Sequence, residues 1–270
     1  MKTAILIPAR FASSRYPGKP LVAIKGATGQ SRSLIERSHD AACRVGGVDA
    51  VHVVTDDERI ATAARGFGAS VIMTSPEARN GTERCAEALE RLGDRLGEVD
   101  LVVNFQGDAL LTPPGFVEAL IQHMRTSEDQ VATPALRLRP AEVRTLQAEE
   151  AAGRVGGTSV VVDGHGRALY FSKRLLPYLP EGTLDLGEGL SPVRLHVGVY
   201  AYRPEALRTY AATPVSDLET LEGLEQLRFL VAGIPVGVVA VETPAFALRE
   251  LNNPEDVEPI EAALAMAGLE

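Results

Sequence analysis

The chain has 270 residues, of which 45% are hydrophobic, 23% charged and 5% aromatic, so it is long enough to bury one large core or two small ones. Its formal net charge is −9, which disfavours binding to nucleic acid or to an anionic membrane through the overall field. No apolar run approaches the roughly 18 residues that span a bilayer, so we expect no membrane insertion.

In the first part of the chain, short apolar runs alternate with amphipathic stretches. Apolar strands without polar alternation, separated by helices, indicate a mostly parallel sheet with helices on both faces, an α/β fold. Three predicted strand ends carry polar residues, and ligands bind at that edge of such sheets. The predicted strands are 4–7, 51–54, 70–73 and 101–105, and the predicted helices are 34–45, 59–67, 82–96 and 113–124.

The pattern changes near residue 130, where strand-like segments with turns replace strand–helix alternation. Asp163-Gly164-His165-Gly166 predicts a turn between two antiparallel strands. We expect a core of residues 1–130, a smaller antiparallel lobe of 131–215, and a return to the core over 216–270. The later predicted elements are strands 131–138, 159–162, 168–172, 195–202 and 236–241, and helices 217–232 and 254–266.

The two cysteines, Cys43 and Cys85, lack CxxC spacing and lie in segments predicted to be helical. We expect both to be buried, reduced thiols rather than a disulfide or a zinc site. The apolar start of the chain is too short for a secretory signal, and a cytoplasmic location is therefore expected.

The loop after the first strand carries the most chemistry. It reads Ile7-Pro8-Ala9-Arg10-Phe11-Ala12-Ser13-Ser14-Arg15-Tyr16-Pro17-Gly18-Lys19-Pro20-Leu21, with three cations in an acidic protein. Backbone N–H groups and the cations of such a loop can hold a triphosphate. The loop is neither a Walker A motif nor GxGxxG, because Ser13 and Pro20 stand where Walker A needs Gly and Ser or Thr.

This loop resembles the signature of the CMP-Kdo synthetases, the cytidylyltransferases that activate 3-deoxy-manno-octulosonate (Kdo). Further segments resemble the same family in order along nearly the whole chain. They are Asn80-Gly81-Thr82-Glu83-Arg84, Asn104-Phe105-Gln106-Gly107-Asp108, Ala168-Leu169-Tyr170-Phe171-Ser172, His196-Val197-Gly198-Val199-Tyr200-Ala201-Tyr202, Leu224-Glu225-Gln226-Leu227-Arg228 and Asn253-Pro254-Glu255-Asp256.

The resemblance implies a homodimeric α/β nucleotidyltransferase, with a fold like the nucleotide-diphospho-sugar transferases and an antiparallel lobe that dimerises. It implies transfer of CMP from CTP to a 2-keto sugar acid, with Mg²⁺ and release of pyrophosphate, for lipopolysaccharide or surface glycan synthesis. Charge must be held on the leaving pyrophosphate, so positioning and electrostatics dominate such a reaction.

The resemblance also assigns residues to roles. The catalytic set is Arg10, Lys19 and Asp108. The nucleotide-binding set is Ala9, Arg10, Ser13, Ser14, Lys19, Asn80, Gly81, Thr82 and Gln106. The acceptor-binding set is Arg15, Lys173, His196, Tyr200, Glu225 and Gln226, and the metal ligands are Asp108 and Asn252.

Some of these residues also have ordinary structural interpretations. His196 could be a core histidine, Glu225 with Arg228 an i,i+3 helix pair, and Asp56 or Asp57 a helix cap.

The chain departs from the family pattern around the acceptor and the metal. Ala109 stands where the family usually has Glu, and Asn252 stands where it has a metal-binding Asp. Ser159 replaces a Lys, and Lys173 replaces an Arg and so loses the bidentate fork. An amide oxygen can coordinate Mg²⁺ but carries no negative charge. These departures suggest a changed acceptor more than a lost activity.

Three alternatives remain open at this stage. A cytidylyltransferase could act on an amino-sugar relative of Kdo, on another 2-keto acid or on a phosphonate. A sugar-1-phosphate nucleotidyltransferase using another nucleotide is disfavoured, because its first loop is usually glycine-rich. A non-catalytic nucleotide-binding protein is the third, motivated by Ala109 and Asn252.

Overall fold

The computed structural model describes residues 1–13, 15–96, 99–185, 189–246 and 248–270. Within these ranges the chain forms one large sheet, a two-stranded ribbon and flanking helices. The strands are β1 Thr3–Ala9, β2 Ala23–Lys25, β3 Ser31–Ser33, β4 Ala50–Thr55, β5 Ser70–Met73, β6 Leu101–Phe105, β7 Val131–Arg137, β8 Ser159–Val162, β9 Ala168–Ser172, β10 Arg194–His196, β11 Val199–Tyr202 and β12 Val236–Val241. The helices are α1 Leu34–Cys43, α2 Glu58–Gly66, α3 Gly81–Leu96, α4 Pro114–Thr126, α5 Pro140–Ala151, α6 Pro204–Ala212, α7 Asp217–Glu222, α8 Leu227–Val231 and α9 Val257–Ala267.

The large sheet has the strand order β5-β4-β1-β6-β11-β7-β10-β8-β9, with β12 paired to β7. Strands β5, β4, β1 and β6 run parallel, so their carboxyl ends meet at one edge. Strand β11 then pairs antiparallel with both β6 and β7, which joins the two halves of the chain in one sheet. The predicted α/β fold class is confirmed, whereas the division into segments at residues 130 and 215 stays a prediction.

Strand β1 shows how the sheet buries both faces. Every residue of this strand is buried, and its side chains alternate between two apolar layers. Ala4 and Leu6 pack on the face covered by α3 and α6, and Ile5 and Ile7 pack against α1, α2 and α4. This double cover holds the end of β1, and with it the loop that follows, in a fixed position.

The caps of two early helices follow the sequence prediction. The Ser33 hydroxyl accepts a hydrogen bond from the Glu36 N–H at 3.3 Å, and the Asp57 carboxylate accepts one from the Arg59 N–H at 2.9 Å. Asp57 is therefore a helix cap.

In the described part of the chain, no helix is both long and apolar enough to cross a membrane.

Several details differ from the sequence prediction. Helices α5 and α6 and the ribbon of β2 and β3 were not predicted. The helix expected over 217–232 is two helices, because Gly223 ends α7 in the left-handed conformation, with φ +60°. The strand expected over 195–202 is interrupted between β10 and β11. Both pieces pair with β7, but in shifted registers, and β10 also pairs with β8 whereas β11 also pairs with β6. The closing helix begins with a 3₁₀ turn, Pro254–Asp256, and Cys43 is exposed at the end of α1 rather than buried.

Candidate active site

The cation-rich loop folds back on itself directly after β1. The Gly18 N–H donates to the Phe11 carbonyl at 2.9 Å, and Gly18 adopts φ +74°, a conformation that a glycine permits without strain. Ser13 stabilises the same turn, because its hydroxyl accepts from the Tyr16 N–H at 3.4 Å. Ser14, which we predicted to bind nucleotide, lies outside the described residues. Ala9, the last residue of β1, is buried beneath the loop.

Lys19 connects this loop to two distant parts of the chain. Its ammonium donates a hydrogen bond to the Asp108 carboxylate and another to the Leu251 carbonyl at 2.9 Å. Both charged side chains are about four-fifths buried, with 18% and 17% of their surface exposed. The predicted phosphate-binding lysine and the predicted metal-binding aspartate therefore lie side by side.

Asp108 owes its position to a close approach of two strand ends. A Cβ at Gly107 would lie 2.7 Å from the Pro8 carbonyl oxygen, so only a glycine fits there without moving β1. The Gly107 carbonyl also accepts from the Ser38 hydroxyl of α1 at 2.9 Å. The segment after β6 is thus pressed against the start of the cation-rich loop.

Arg10 points toward the other side of the site. Its guanidinium is exposed and donates to the Arg79 carbonyl at 3.4 Å, just before α3 begins. No carboxylate of the described residues forms an ion pair with Arg10, so its charge is free to meet an anion. Arg84, one turn into α3, is instead committed to an ion pair with Asp56 at 3.0 Å.

The turn before α3 is held by both polar atoms of the Asn80 side chain. The Asn80 carbonyl oxygen caps the helix by accepting from the Glu83 N–H at 2.8 Å, and its amide donates to the Tyr210 hydroxyl at 2.9 Å. A Cβ at Gly81 would lie 3.0 Å from the Gln106 amide nitrogen. The absence of a side chain at Gly81 therefore lets Gln106 approach the turn closely.

Glu225 joins this turn to the end of β6. Its carboxylate accepts from the Thr82 N–H at 3.3 Å and from the Gln106 amide at 3.4 Å. Burial raises the pKa of Glu225, although hydrogen bonds from the Thr82 and Gly81 N–H groups partly offset that effect. Glu225, which is predicted to bind the acceptor, thus contacts two residues that are predicted to bind the nucleotide.

Arg228 is fully buried behind the site, where it bridges two carboxylates. Its guanidinium donates twice to Glu219, at 2.6 and 2.7 Å, and once to Glu83 at 2.9 Å, and it stacks on the Tyr210 ring at 4.1 Å. The pair considered from the sequence, Glu225 with Arg228, is not formed. Arg228 fixes the same tyrosine that holds Asn80.

An aromatic row leads from β10 toward α8. His196 packs against Phe171 and Tyr200, with ring centroids 5.2 and 5.3 Å apart, and Tyr200 stacks on Tyr202. Burial lowers the pKa of His196 to about 3, so the ring is neutral at physiological pH. Among the described residues, no group bonds its buried Nε2 atom. His196 is packed like a core residue but retains one unsatisfied polar atom.

Tyr200 is buried in the same region, within the influence of two acidic residues, Glu225 and Glu250. Burial raises the pKa of its hydroxyl well above the usual value, and the charges of Glu225 and Glu250 add to the effect. The phenol is therefore neutral and available to donate a hydrogen bond.

Two other predicted acceptor residues, Gln226 and Lys173, differ in their exposure to solvent. Gln226 is only 2% exposed at the start of α8. Lys173 is exposed after β9, and a Cβ at Gly223 would lie 2.7 Å from its ammonium nitrogen. Ser159 faces backbone groups instead: its hydroxyl donates to the Arg174 carbonyl at 2.6 Å and accepts from the Leu176 N–H at 3.1 Å.

The tail before α9 completes the site from the opposite direction. The Asn252 amide oxygen accepts from the Arg15 guanidinium at 2.7 Å, which ties the cation-rich loop to the tail. Glu250 also lies here and was missed by the sequence analysis. Desolvation raises the pKa of the Glu250 carboxyl to about 7, although its side chain is partly exposed, and the Asp108 charge is the next cause. The sequence did offer one indication of its importance, because Glu250 is an acidic residue two positions before Asn252, which replaces the family's metal-binding aspartate.

Comparisons with known proteins agree with this arrangement. The cytidylyltransferase family model matches residues 4–240. The chain is 38% identical over 99% of both chains to a 3-deoxy-manno-octulosonate cytidylyltransferase of Maricaulis maris. It is also 38% identical, over 98% of this chain and 100% of the relative, to an 8-amino-3,8-dideoxy-manno-octulosonate cytidylyltransferase of Shewanella piezotolerans.

A solved structure is similar over the same extent. It is a CMP:2-keto-3-deoxy-manno-octonic acid synthetase complexed with CTP, and it matches with a TM-score of 0.82 and 34% identity. The match covers 99% of this chain and 100% of that one.

Proposed function

Because this chain belongs to the cytidylyltransferase family and is a nucleotidyltransferase, we propose that it transfers CMP from CTP to a 2-keto sugar acid and releases pyrophosphate. The acceptor that we propose is Kdo, attacked through its anomeric hydroxyl, or a close relative. The observation that carries this proposal is the contact between Lys19 of the first loop and Asp108 after β6. A phosphate-binding cation and a metal-binding carboxylate are needed together for this reaction.

On the nucleotide side, the turn before α3 and Gln106 read the cytosine and ribose. Asn80 and Thr82 are held by buried tyrosine hydroxyls, so their geometry is set before the nucleotide arrives. The N–H groups between Ala9 and Ser13, with Ser14, wrap the phosphates. Preorganised donors of this kind cost little reorganisation during the reaction.

On the phosphate side, Arg10 and Lys19 neutralise the triphosphate. Arg10 is exposed without a carboxylate partner in the described residues, so it is available to an anion. Lys19 holds Asp108 in the structure and can turn its remaining N–H group to the leaving pyrophosphate. Both residues act by holding charge as it develops on the leaving group.

The residues beside Lys19 fit Mg²⁺, whose ligands are oxygens. The described residues contain no cluster of three or more His, Cys, Asp and Glu side chains. Mg²⁺, however, is usually held by one or two carboxylates together with substrate phosphates and water. Asp108 supplies one such carboxylate, and the sequence predicts Asn252 as its neighbour. Bound there, the ion would stabilise negative charge on the α-phosphate and the attacking oxygen.

On the acceptor side, the proposed ligands are Arg15, Lys173, His196, Tyr200, Glu225 and Gln226. Arg15 and Lys173 are exposed cations that suit a sugar carboxylate. Tyr200 and the neutral ring of His196 suit the sugar hydroxyls, because the His196 Nε2 atom has an unused hydrogen-bonding capacity among the described residues. A buried polar atom of this kind gains most from a ligand that satisfies it.

The direct test is pyrophosphate release with Mg²⁺, each nucleoside triphosphate in turn, and Kdo as acceptor. We expect pyrophosphate release only when the triphosphate is CTP. Turnover with another triphosphate, or CTP binding with no release for any acceptor, would contradict the proposal.

The 8-amino relative of Kdo is a second candidate acceptor. The amino-Kdo cytidylyltransferase of Shewanella and the Kdo cytidylyltransferase of Maricaulis are equally identical to this chain. In addition, Lys173 and Ser159 are departures from the family pattern on the acceptor side. Competition between equimolar Kdo and amino-Kdo, read as the ratio of kcat/KM values, would decide between them.

We also propose a homodimer formed through the antiparallel half. Large apolar side chains are exposed there, including Val155, Leu169 and Tyr178 at 60%, 60% and 84%. Light scattering across a dilution series should give twice the 28.8 kDa chain mass, and a monomer at every concentration would contradict this. The cytoplasmic location stays a prediction that cell fractionation would test.

A further inference from the structure

The segment from Glu250 to Asn252 lies where a metal-binding aspartate is expected but an asparagine stands. The Asn252 amide oxygen, the atom able to coordinate a cation, is already engaged by the Arg15 guanidinium at 2.7 Å. Its backbone N–H donates to the Asp256 carboxylate at 3.0 Å. Asn252 therefore connects a cation on one side to a carboxylate on the other, which is the work of a positioning residue.

Glu250 is placed toward Asp108 by the residue that follows it. The Leu251 side chain is fully buried against α9, and its carbonyl accepts from the Lys19 ammonium that also binds Asp108. On either side of this anchored residue, Glu250 reaches toward Gly198 and Asn252 reaches Arg15. Glu250 retains contact with solvent there, and Asp108, Lys19 and Arg15 are the charges that act on it.

The opposite wall leaves room for this carboxylate. A Cβ at Gly198, in the interruption between β10 and β11, would lie 3.1 Å from the Glu250 Oε1 atom. A side chain at Gly198 would therefore push Glu250 away. The same Cβ would lie 4.0 Å from the Gln106 Cγ atom, which places Glu250 near the segment that carries Asp108.

We propose that Glu250, rather than Asn252, is the second protein ligand of the Mg²⁺ held by Asp108, and that it binds the ion through its carboxylate. The inference rests on the proposed function, because it concerns the metal of that reaction. The charge lost by asparagine at position 252 is thereby restored from two residues earlier. Two carboxylates completed by substrate phosphates form a typical Mg²⁺ site.

The experiment measures Mn²⁺ binding by electron paramagnetic resonance, in the presence of CTP and without acceptor, so that no turnover is needed. The variants are Glu250→Gln and the double variant Glu250→Gln with Asn252→Asp. Glu258→Gln removes the same charge from an exposed position in the first turn of α9 and is the matched control. CTP affinity without metal is measured for every variant by calorimetry.

Loss of Glu250 should weaken Mn²⁺ binding by at least about 10- to 100-fold, the range that even indirect ligand partners produce. The double variant should recover most of that affinity. The carboxylate that Asn252→Asp introduces can still accept from Arg15, and the amide that Glu250→Gln introduces can donate to it. Glu258→Gln should bind Mn²⁺ like the unmodified protein.

The outcomes separate this inference from the proposed function. Unchanged Mn²⁺ affinity in Glu250→Gln, with binding lost in Asp108→Asn, overturns the role of Glu250 and leaves the transferase intact. Weak binding in the double variant also overturns it, because a carboxylate at position 252 would then not substitute. If the unmodified protein binds neither CTP nor Mn²⁺ with CTP, the proposed function fails and this inference fails with it.

Discussion

Lys19 donates a hydrogen bond to the carboxylate of Asp108, although the two residues are 89 positions apart in the chain. The contact neutralises both charges at the carboxyl edge of the sheet while no substrate is present. It also keeps the two groups within one hydrogen bond of the place where each is needed. Substrate binding then requires only that each residue exchanges one partner for another of the same charge.

Replacement of Lys19 should therefore affect the reaction more than the fold. We expect Lys19→Ala to lower kcat by about 10²–10³, because a donor that stabilises the leaving pyrophosphate is removed. Lys25→Ala removes the same charge from an exposed position on β2 and should leave kcat unchanged. Steady-state pyrophosphate release compares the two variants, and normal turnover in Lys19→Ala would refute the assigned role.

Gly107 should not tolerate a side chain. Gly107→Ala forces a methyl group against the Pro8 carbonyl, so we expect a loss of about 1–3 kcal/mol in the free energy of unfolding. We also expect reduced kcat, because Asp108 moves with its neighbour. At Gly115 in α4 a Cβ meets nothing within 4 Å, and Gly115→Ala should be neutral or stabilising. Urea denaturation of both variants provides the test, and equal stabilities would contradict it.

Removal of the Arg228 side chain should destabilise the protein strongly. Arg228→Ala leaves Glu219 and Glu83 without their shared cation, and we expect a cost of about 3–5 kcal/mol. Arg208 pairs with Glu90 at the surface, with 55% of its side chain exposed, so Arg208→Ala should cost at most about 1 kcal/mol. Chemical denaturation measures both free energies, and a small effect at Arg228 would show that the buried pairs contribute little.

His196 should make stability depend on acidity in a defined window. Burial lowers its folded-state pKa to about 3, whereas the unfolded chain binds the proton near the ordinary value of 6.5. Between these values the unfolded state holds more protons, so stability is lost as pH falls from 6.5 toward 3. The slope is about 1.4 kcal/mol per pH unit for one proton.

The measurement compares the unmodified protein with His196→Phe, which keeps an aromatic ring and cannot titrate. The difference between their free energies of unfolding should change with pH only within that window. A constant difference from about pH 7 to about pH 4 would show that His196 is protonated in the folded state as readily as in the unfolded chain.

Sequence reasoning succeeded where local chemistry decides the structure. The fully apolar run of β1 and the caps at Ser33 and Asp57 were readable because each depends on neighbouring residues only. The sheet edge was also predictable, because carboxyl ends of parallel strands converge. The motif at Asn80 identified a turn whose tyrosine partner lies 130 residues away and could not be identified.

The parts that sequence reasoning missed depend on long-range contacts. The 217–232 segment has continuous helical character, and the glycine at 223 was not recognised as a break because a single Gly is tolerated in many helices. Glu250 was missed because its importance comes from Asp108 and Arg15, which reach it from distant segments. The contact of Arg15 with Asn252 is likewise visible only in three dimensions.

The bond between Arg15 and Asn252 spans 237 positions and joins a loop near the start of the chain to a tail near its end. A ribosome releases the cation-rich loop early, but its anchor emerges only after the last strand of the large sheet, β12, has been synthesised. A nascent chain can therefore build nearly its entire sheet while the site is still incomplete. Polypeptides cut short before residue 250 would lack this anchor, and they would also lack the buried side chains of Leu251 and α9 that complete the core around the start of α1. Completion of the site and completion of that part of the core therefore depend on the same last segment of the chain.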